Sequence, residues 1–521
     1  MYSLRQKVIW FAFFSRVFIL LLQCIANFIL PDHDAQDVFR RPLLPNSEDN
    51  WLDRVIDILF GGLERWDAHY FLHIAQNGYV YENSVAFFPL FPLAVRFLSA
   101  CLKIVTFGFL GSQSLLLLAS VIMNTVCFIK AADSLFFLSI KVLGDEFLAY
   151  KAALLFCINP ASIFFSAPYS EALFVLLSFQ GMRHSLDIQY SKLCAIPFGL
   201  SAAARSNGVL NVGFILHKSI QDFLSAEWPV ISRKKGLKNR LLVPFKTVPL
   251  MYRIIESCTI ALAPFVAYQV YCYVLFCTVQ KLNIPQHLVE YAKNNSLVLP
   301  ALDQDVQRDP LHWCNSKMPL AYSYVQDHYW NVGFLRYFEW KQVPNFILAT
   351  PILSFIICRS IIFLNQNRFL VLHLGFIPAK VKDTQMKPNS MSPKMFVFVI
   401  HALCLAAFCI AFVHIQVATR LICSASPVPY WFASYLLIYN RKKSSNGKAS
   451  AAAKLISSRL KKFSNKKSEQ EIEILDNMNS KWRVIILSLY PIDRTGKTIL
   501  LYCYLYAIIG SILFSNFLPW T

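Results

Sequence analysis

Charged side chains are scarce in this sequence: Asp, Glu, Lys and Arg supply only 15% of its 521 residues, against 56% hydrophobic and 15% aromatic. A soluble chain of this length needs more charge to cover its surface, so a soluble globular protein is excluded. No P-loop and no GxGxxG accompanies the scarcity, which leaves nucleotide-driven chemistry without a motif. Cysteine occurs 14 times, but there is no CxxC pair and no His/Cys cluster with zinc spacing. Cys127, Cys157, Cys272 and Cys277 fall inside apolar runs, where cysteine behaves as a small hydrophobe. No metal and no cofactor is expected. Cys314 and Cys423 lie in polar-flanked segments and are the pair to consider for a disulfide.

What is abundant is apolar sequence in long runs, with a mean hydropathy of +0.45. These runs are long enough to cross about 30 Å of hydrocarbon as helices. The first, 8–30, follows Arg5 and Lys7, exceeds a signal-peptide core in length and lacks a small-residue cleavage site. It reads as a signal anchor with its basic flank in the cytoplasm. Further spans are expected near 111–138, 148–166, 169–182, 193–206, 208–228, 255–280, 344–364, 395–416, 429–440 and 497–518. The net charge of +20 sits in short segments between these runs. That is the pattern of cytoplasmic loops and not of a nucleic-acid interface, so no nucleic-acid partner is expected.

The segment 87–109 decides the topology, because hydropathy alone would make it another span. Were it to cross, the basic clusters at 231–253 and 441–443 would face the lumen, against the positive-inside bias. Lying along the luminal interface, bracketed by breaks at Pro31, Pro89 and Pro92, it puts both clusters in the cytoplasm. The sequon Asn294-Asn295-Ser296, with Asn294 as glycosylation site, then falls in a luminal loop. The expected organisation is a membrane body over 1–440 carrying luminal loops 31–110 and 281–342. A solvated basic cytoplasmic insertion follows at 441–482, without a core of its own, and then a C-terminal membrane segment at 483–521.

The luminal segments collect the polar chemistry. They carry Trp66, Asp67 and His69, then Tyr169 and Glu171, then Arg205 and Asn207, and finally Tyr329, Trp330 and Arg420. Ionisable groups near membrane depth are costly unless they pair or line a polar cavity, which points to one site at this surface. Trp66, Tyr79, Tyr81 and Trp330 serve equally well as interface aromatics or as sugar-binding rings. Arg205 has two readings, a phosphate ligand or a salt bridge to Glu171. Transfer of a sugar from a phosphate-linked donor needs a carboxylate to take the proton of the attacking hydroxyl and cations for the departing phosphate. Asp67 with arginines from later segments meets both needs. A lipid transporter or a non-catalytic scaffold would also hold polar groups between helices. A transporter, however, predicts charges near mid-depth instead of at one surface.

The motifs resemble a known family. Gly61-Gly62-Leu63, Trp66-Asp67-Ala68, Ala86-Phe87-Phe88-Pro89, Tyr169-Ser170-Glu171-Ala172-Leu173-Phe174, Arg205-Ser206-Asn207-Gly208, Gln342-Val343-Pro344-Asn345-Phe346 and Asn516-Phe517-Leu518-Pro519-Trp520 are similar to stretches of the GPI mannosyltransferase 2 (PIG-V) family, within the GT-C class. The resemblance implies an all-α polytopic membrane protein of GT-C type with luminal interfacial or re-entrant helices. It implies residence in the endoplasmic-reticulum membrane with a luminal active site, and Asp67 as the catalytic carboxylate. It further implies a dolichyl-phosphate-mannose donor and a glycosylphosphatidylinositol-precursor acceptor that receives its second mannose in α1,6 linkage. It implies nothing for 441–482, for oligomeric state or for protein partners.

Overall fold

In the computed structural model every regular element among the described residues is helical. The structure describes residues 2–35, 38–42, 50–187, 191–226, 237–279, 281–301, 311–376, 391–438 and 494–518. The expected insertion 441–482 and the beginning of the C-terminal segment, 483–493, lie outside them.

Helix α1 (Leu4–Ile29) opens on a capping box. The Ser3 hydroxyl accepts from the Gln6 amide and the Gln6 side chain accepts from the Ser3 amide. Three shorter helices follow, α2 (Trp51–Phe60), α3 (Asp67–Asn77) and α4 (Leu90–Val105). A tight bundle is then built from α5 (Ser112–Leu143), α6 (Glu146–Cys157), α7 (Glu171–Ser185), α8 (Ser191–Ala204) and α9 (Val212–Ala226). The α5–α6 turn shows why the chain reverses there. Gly144 takes a left-handed conformation at φ 71°, and the Asp145 carboxylate accepts from the Phe147 and Leu148 amides to start α6. The remainder comprises α10 (Leu237–Cys277), α11 (Gln286–Asn294), α12 (Ala321–Trp330), α13 (Val343–Gln366), α14 (Phe396–Phe412), α15 (Ala418–Ala425), α16 (Val428–Ile438) and α17 (Arg494–Ser515).

Six helices among the described residues, in α1, α5, α10, α13, α14 and α17, are long and apolar enough to cross a membrane. Helices α15 and α16 meet at a 77° bend at Ser426-Pro427, a broken span or re-entrant element. Helices stand at the expected span positions in this order, but those at 148–166, 169–182, 193–206 and 208–228 have only 12, 15, 14 and 15 residues, too short to cross as straight helices, and the first of them already ends at Cys157. A further difference lies at α10. The basic stretch 231–253, read as a loop, is helical from Leu237 onward, and α10 runs 41 residues. Its Leu, Lys and Arg content suits a helix as well as a loop.

Helix α4 explains the segment 87–109. Its 16 residues span about 24 Å at 1.5 Å each, short of the hydrocarbon thickness. Its middle is tied to the end of α3 by Arg96 donating to the Gln76 carbonyl. Its far end is tied to α2, because Asn50 donates to the Phe109 carbonyl and the Gly111 amide donates to Asp53. The middle of α4 therefore stays beside α3 and its far end beside α2. It buries Phe91, Pro92 and Val95 while exposing Leu93, Phe97, Ile104 and Val105, as an interfacial helix does.

Helix ends gather at two surfaces. At one, Arg5 pairs with Asp133, Lys141 with Asp187, and Ser392 donates to the Val142 carbonyl. At the other, the end of α1 meets the end of α17 through the His33 amide and the Asn516 carbonyl, and Tyr268 of α10 donates to the Val85 carbonyl. Helix α11, whose end carries exposed Asn294, packs on Tyr81 at this second surface. Between the two surfaces, Arg16 is wholly buried in α1. Its guanidinium donates to the Ser162 carbonyl, to the Ser162 and Ser166 hydroxyls, and covers the Phe128 ring at 3.8 Å. That grip fixes the buried stretch 158–170, irregular apart from one 3-10 turn at Ser162–Phe165, whose polar backbone is tolerated because protein surrounds it.

The disulfide differs from the expected pair. Cys314 bonds Cys277, at the C-terminal end of α10, with Cα atoms 5.6 Å apart. Cys423 lies fully buried in α15, out of reach. Cys277 had read as one more apolar-run cysteine; it stands where α10 leaves the apolar layer. Both bonded thiols should resist maleimide until reduced, and Cys314→Ser should cost about 2–4 kcal/mol in unfolding measurements. Cys423→Ser should leave the labelling pattern unchanged.

Candidate active site

The second surface holds the ionisable cluster, and the loop before α3 presents its first member. Gly62 lies so close to α1 that a Cβ there would stand 2.7 Å from Gln23 Oε1 and 2.9 Å from Asn27 Cβ, so only glycine fits. Past this contact, Arg65 ties the loop down. Its guanidinium donates to the Gly61 carbonyl at 3.0 Å, to Asn27 at 2.8 Å and to the Ser515 carbonyl at 3.1 Å, and pairs with Asp32. Trp66 then adopts φ 54°, ψ −123°, a conformation that costs a non-glycine residue of order 1–3 kcal/mol. This turn puts Asp67 at the first position of α3, where the helix N-terminus favours a carboxylate. The Asp67 amide is satisfied by the Tyr169 hydroxyl at 3.1 Å.

Four charges meet around Asp67. Arg420, from α15, donates to Asp67 Oδ2 at 2.8 Å and places its Nε 3.3 Å from Glu171 Oε1. Glu171, the first residue of α7, also accepts from Arg205 at the end of α8. The order is thus Asp67, Arg420, Glu171, Arg205, two carboxylates and two guanidiniums. They differ in access: the Asp67 side chain is 33% exposed, whereas Glu171 is 0% exposed and Arg420 13%. Of the two carboxylates only Asp67 can be reached by a substrate.

The turn after Arg205 packs equally closely. A Cβ on Gly208 would stand 2.5 Å from the Ala202 nitrogen, so glycine is required where this turn folds onto α8. Asn207 keeps its side-chain Nδ2 buried without a partner, and Ser206 donates to the Tyr322 hydroxyl at 2.8 Å. Residues expected here but placed apart are His69, Tyr329 and Trp330. His69 Nδ1 lies 3.3 Å from Glu64, which Arg41 also pairs, and the His69 ring stacks on Phe517. Burial alone would raise the Glu64 carboxyl, but the attraction of Arg41 and His69 outweighs it and holds the group below its ordinary value. Tyr329 donates to the buried Glu82, as does Trp313, and Trp330 stands edge-on to Tyr70 and Phe87.

The sequence reading singled out neither Tyr70 nor His73. Tyr70 follows Asp67 by one helical turn, sandwiched between Phe39 and Phe87 at 4.3 and 4.5 Å. Its burial, then the Asp67 carboxylate, push the phenol above its usual range and keep it neutral. His73 is pulled down to about 3 by burial and then by Arg41, so it supplies no cation at neutral pH. Asp32-His33-Asp34 has the carboxylate-x-carboxylate spacing of some metal-dependent transferases, against the expectation of no such motif in the luminal segments. Here Asp32 is held by Arg65, and no cluster of three or more His, Cys, Asp or Glu side chains suited to a metal forms among the described residues.

The cluster thus joins one carboxylate reachable from outside, one buried carboxylate and two guanidiniums. The family described as "Mannosyltransferase (PIG-V)" matches residues 5–521. The chain belongs to the PIG-V mannosyltransferase family. The GPI alpha-1,6-mannosyltransferase 2 of Cricetulus griseus is 37% identical over 521 residues, covering 99% of each chain. The human protein of that name is 37% identical over 436 residues, 83% of this chain and 84% of its own. The GPI mannosyltransferase 2 of Drosophila melanogaster is 34% identical over 528 residues, 99% of this chain and all of its own.

In this PIG-V family chain, Arg420 touches both carboxylates and Arg205 only one. Arg420→Ala therefore strands Asp67, leaves the buried Glu171 with Arg205 alone, and should cost about 3–5 kcal/mol in detergent unfolding. Arg205→Ala leaves Glu171 with Arg420 and should cost less. The reverse ranking would mean the cluster is ordered differently.

Proposed function

We propose that this mannosyltransferase of GPI-anchor biosynthesis moves one mannose from dolichyl-phosphate-mannose onto a mannosyl-glucosaminyl-phosphatidylinositol acceptor, in α1,6 linkage, on the luminal face of the endoplasmic-reticulum membrane. The observation that carries the reading is the accessible Asp67 carboxylate within a charge-balanced cluster at the ends of membrane helices. The relatives' printed names supply the linkage and the acceptor class. The luminal side is supported by the Cys277–Cys314 disulfide and by the exposed sequon Asn294, both at the surface of the site.

Asp67 takes the proton from the 6-hydroxyl of the acceptor's mannose as that oxygen attacks the donor's anomeric carbon. The bond from that carbon to the phosphate oxygen breaks, and the β-linked donor gives an α-linked product in one displacement. At rest the four charges cancel. Once Asp67 is protonated, the cluster carries a net +1 while the leaving phosphate gains one negative charge. Arg420, relieved of the Asp67 carboxylate, and Arg205 then face the anion, and a guanidinium fork suits phosphate oxygens. Glu171 keeps both cations in place without competing for the substrate proton, because it is fully buried.

The test is donor choice in proteoliposomes containing the purified chain and the mono-mannosylated acceptor. Dolichyl-phosphate-mannose should yield one added mannose removable by an α1,6-specific mannosidase, and GDP-mannose should yield none. Transfer from GDP-mannose, or a product of another linkage, would contradict the reading.

A further inference from the structure

The turn that presents Asp67 is held in part from the far end of the sequence, where one aromatic ring packs against it. Phe517 follows α17, at φ 56°, and is 4% exposed. Its ring meets four residues of the loop around Asp67 and its approach. The Arg65 guanidinium lies over it at 4.5 Å and that of Arg40 at 5.2 Å. The His69 imidazole stacks nearly parallel to it, 11° between planes at 6.0 Å, and Trp66 meets it edge-on at 5.9 Å. The neighbouring backbone joins in, since the Ser515 carbonyl accepts from Arg65 and the Asn516 carbonyl from the His33 amide. Trp66, in its strained conformation, therefore meets Phe517, while the next residue's amide, that of Asp67, donates to the Tyr169 hydroxyl.

We infer that Phe517 is a positioning residue for catalysis: its ring holds the Trp66 turn so that Asp67 points at the substrate. Phe517 touches no reacting atom in this scheme. It acts through Arg65, Trp66 and His69, and its two cation contacts need an aromatic face, which an aliphatic side chain of similar volume lacks. A strained turn persists only where its surroundings over-determine it, so removing this face lets Trp66 relax and Asp67 swing from the attacking hydroxyl. Small misplacements of a catalytic group are costly to rate while leaving donor binding at Arg205 and Arg420 nearly untouched.

The inference rests on Asp67 being the general base, and the test separates the two. Full-length Phe517→Leu, Phe517→Tyr and wild type are purified and assayed with dolichyl-phosphate-mannose and the mono-mannosylated acceptor at equal amounts of folded protein. Leucine keeps the apolar volume and should fold with an unfolding temperature close to wild type. Its kcat should fall roughly 10- to 100-fold, the scale of a misplacement of about 1 Å, with donor KM within about twofold. Tyrosine restores the ring and should recover kcat to within about threefold. Phe517→Leu with wild-type kcat, or Phe517→Tyr as impaired as Phe517→Leu, would overturn the inference. A fall in kcat that merely tracks a fall in unfolding temperature would overturn it too. A wild type inactive with this donor would instead sink the proposed function.

Discussion

Arg420 between Asp67 and Glu171 is the contact on which the rest depends. Two carboxylates and two guanidiniums at the end of a bundle of apolar helices are far too costly to leave unpaired. Arg420 satisfies one carboxylate that a substrate can reach and one that it cannot. The partners are supplied by α3, α7, α8 and α15, elements up to 353 residues apart in sequence. The pairing therefore fixes which helix ends must share a surface. In the proposed reaction it also sets the chemistry, because a cluster neutral at rest would become cationic when its exposed carboxylate takes a proton, at the moment an anion departs.

The surrounding structure supplies the breaks that bring those ends together. Helix α15 stops at Ser426-Pro427 with a 77° bend, the stretch 158–170 interrupts the bundle between α6 and α7, and α4 has only 16 residues. Irregular backbone at membrane depth demands internal partners. Arg16 provides them for 158–170, and the Tyr169 that emerges from that stretch takes the Asp67 amide. A cation buried in the first membrane helix and the residue proposed as catalytic base are thus joined through the short stretch 162–169, with a hydrogen bond at each end.

Much of this was legible in the sequence, and the exceptions have physical causes. Hydropathy located the six long apolar helices because the bilayer imposes length directly on the chain, but it also gave spans where the helices are only 12 to 15 residues long. Asp67, Glu171, Arg205 and Arg420 stood out because charge next to an apolar run is conspicuous. What did not stand out were groups whose roles arise only from packing. Phe517 is one aromatic among 44 phenylalanines, and nothing local marks it as the floor of the Asp67 loop. Glu171 read as a partner for Arg205, while its second partner, Arg420, comes from a helix 249 residues away by number (420 minus 171). The Cys277–Cys314 bond escaped because spacing does not specify pairing. Arg16 did carry a signal, a lone arginine inside an apolar run, and the rule that such residues are functional or structural anchors would have found it.

The central claim is that Asp67 carries the proton transfer while the rest of the cluster holds it and its counter-charges in place. Asp67→Asn is the most direct probe, because the amide keeps the side chain's size and can still accept from Arg420, yet has no basicity. Mannosyl transfer by the purified, correctly folded variant should fall by about 10²–10⁴, the usual loss for a positioned general base, with donor binding retained. Transfer within about threefold of wild type in that variant would contradict the account.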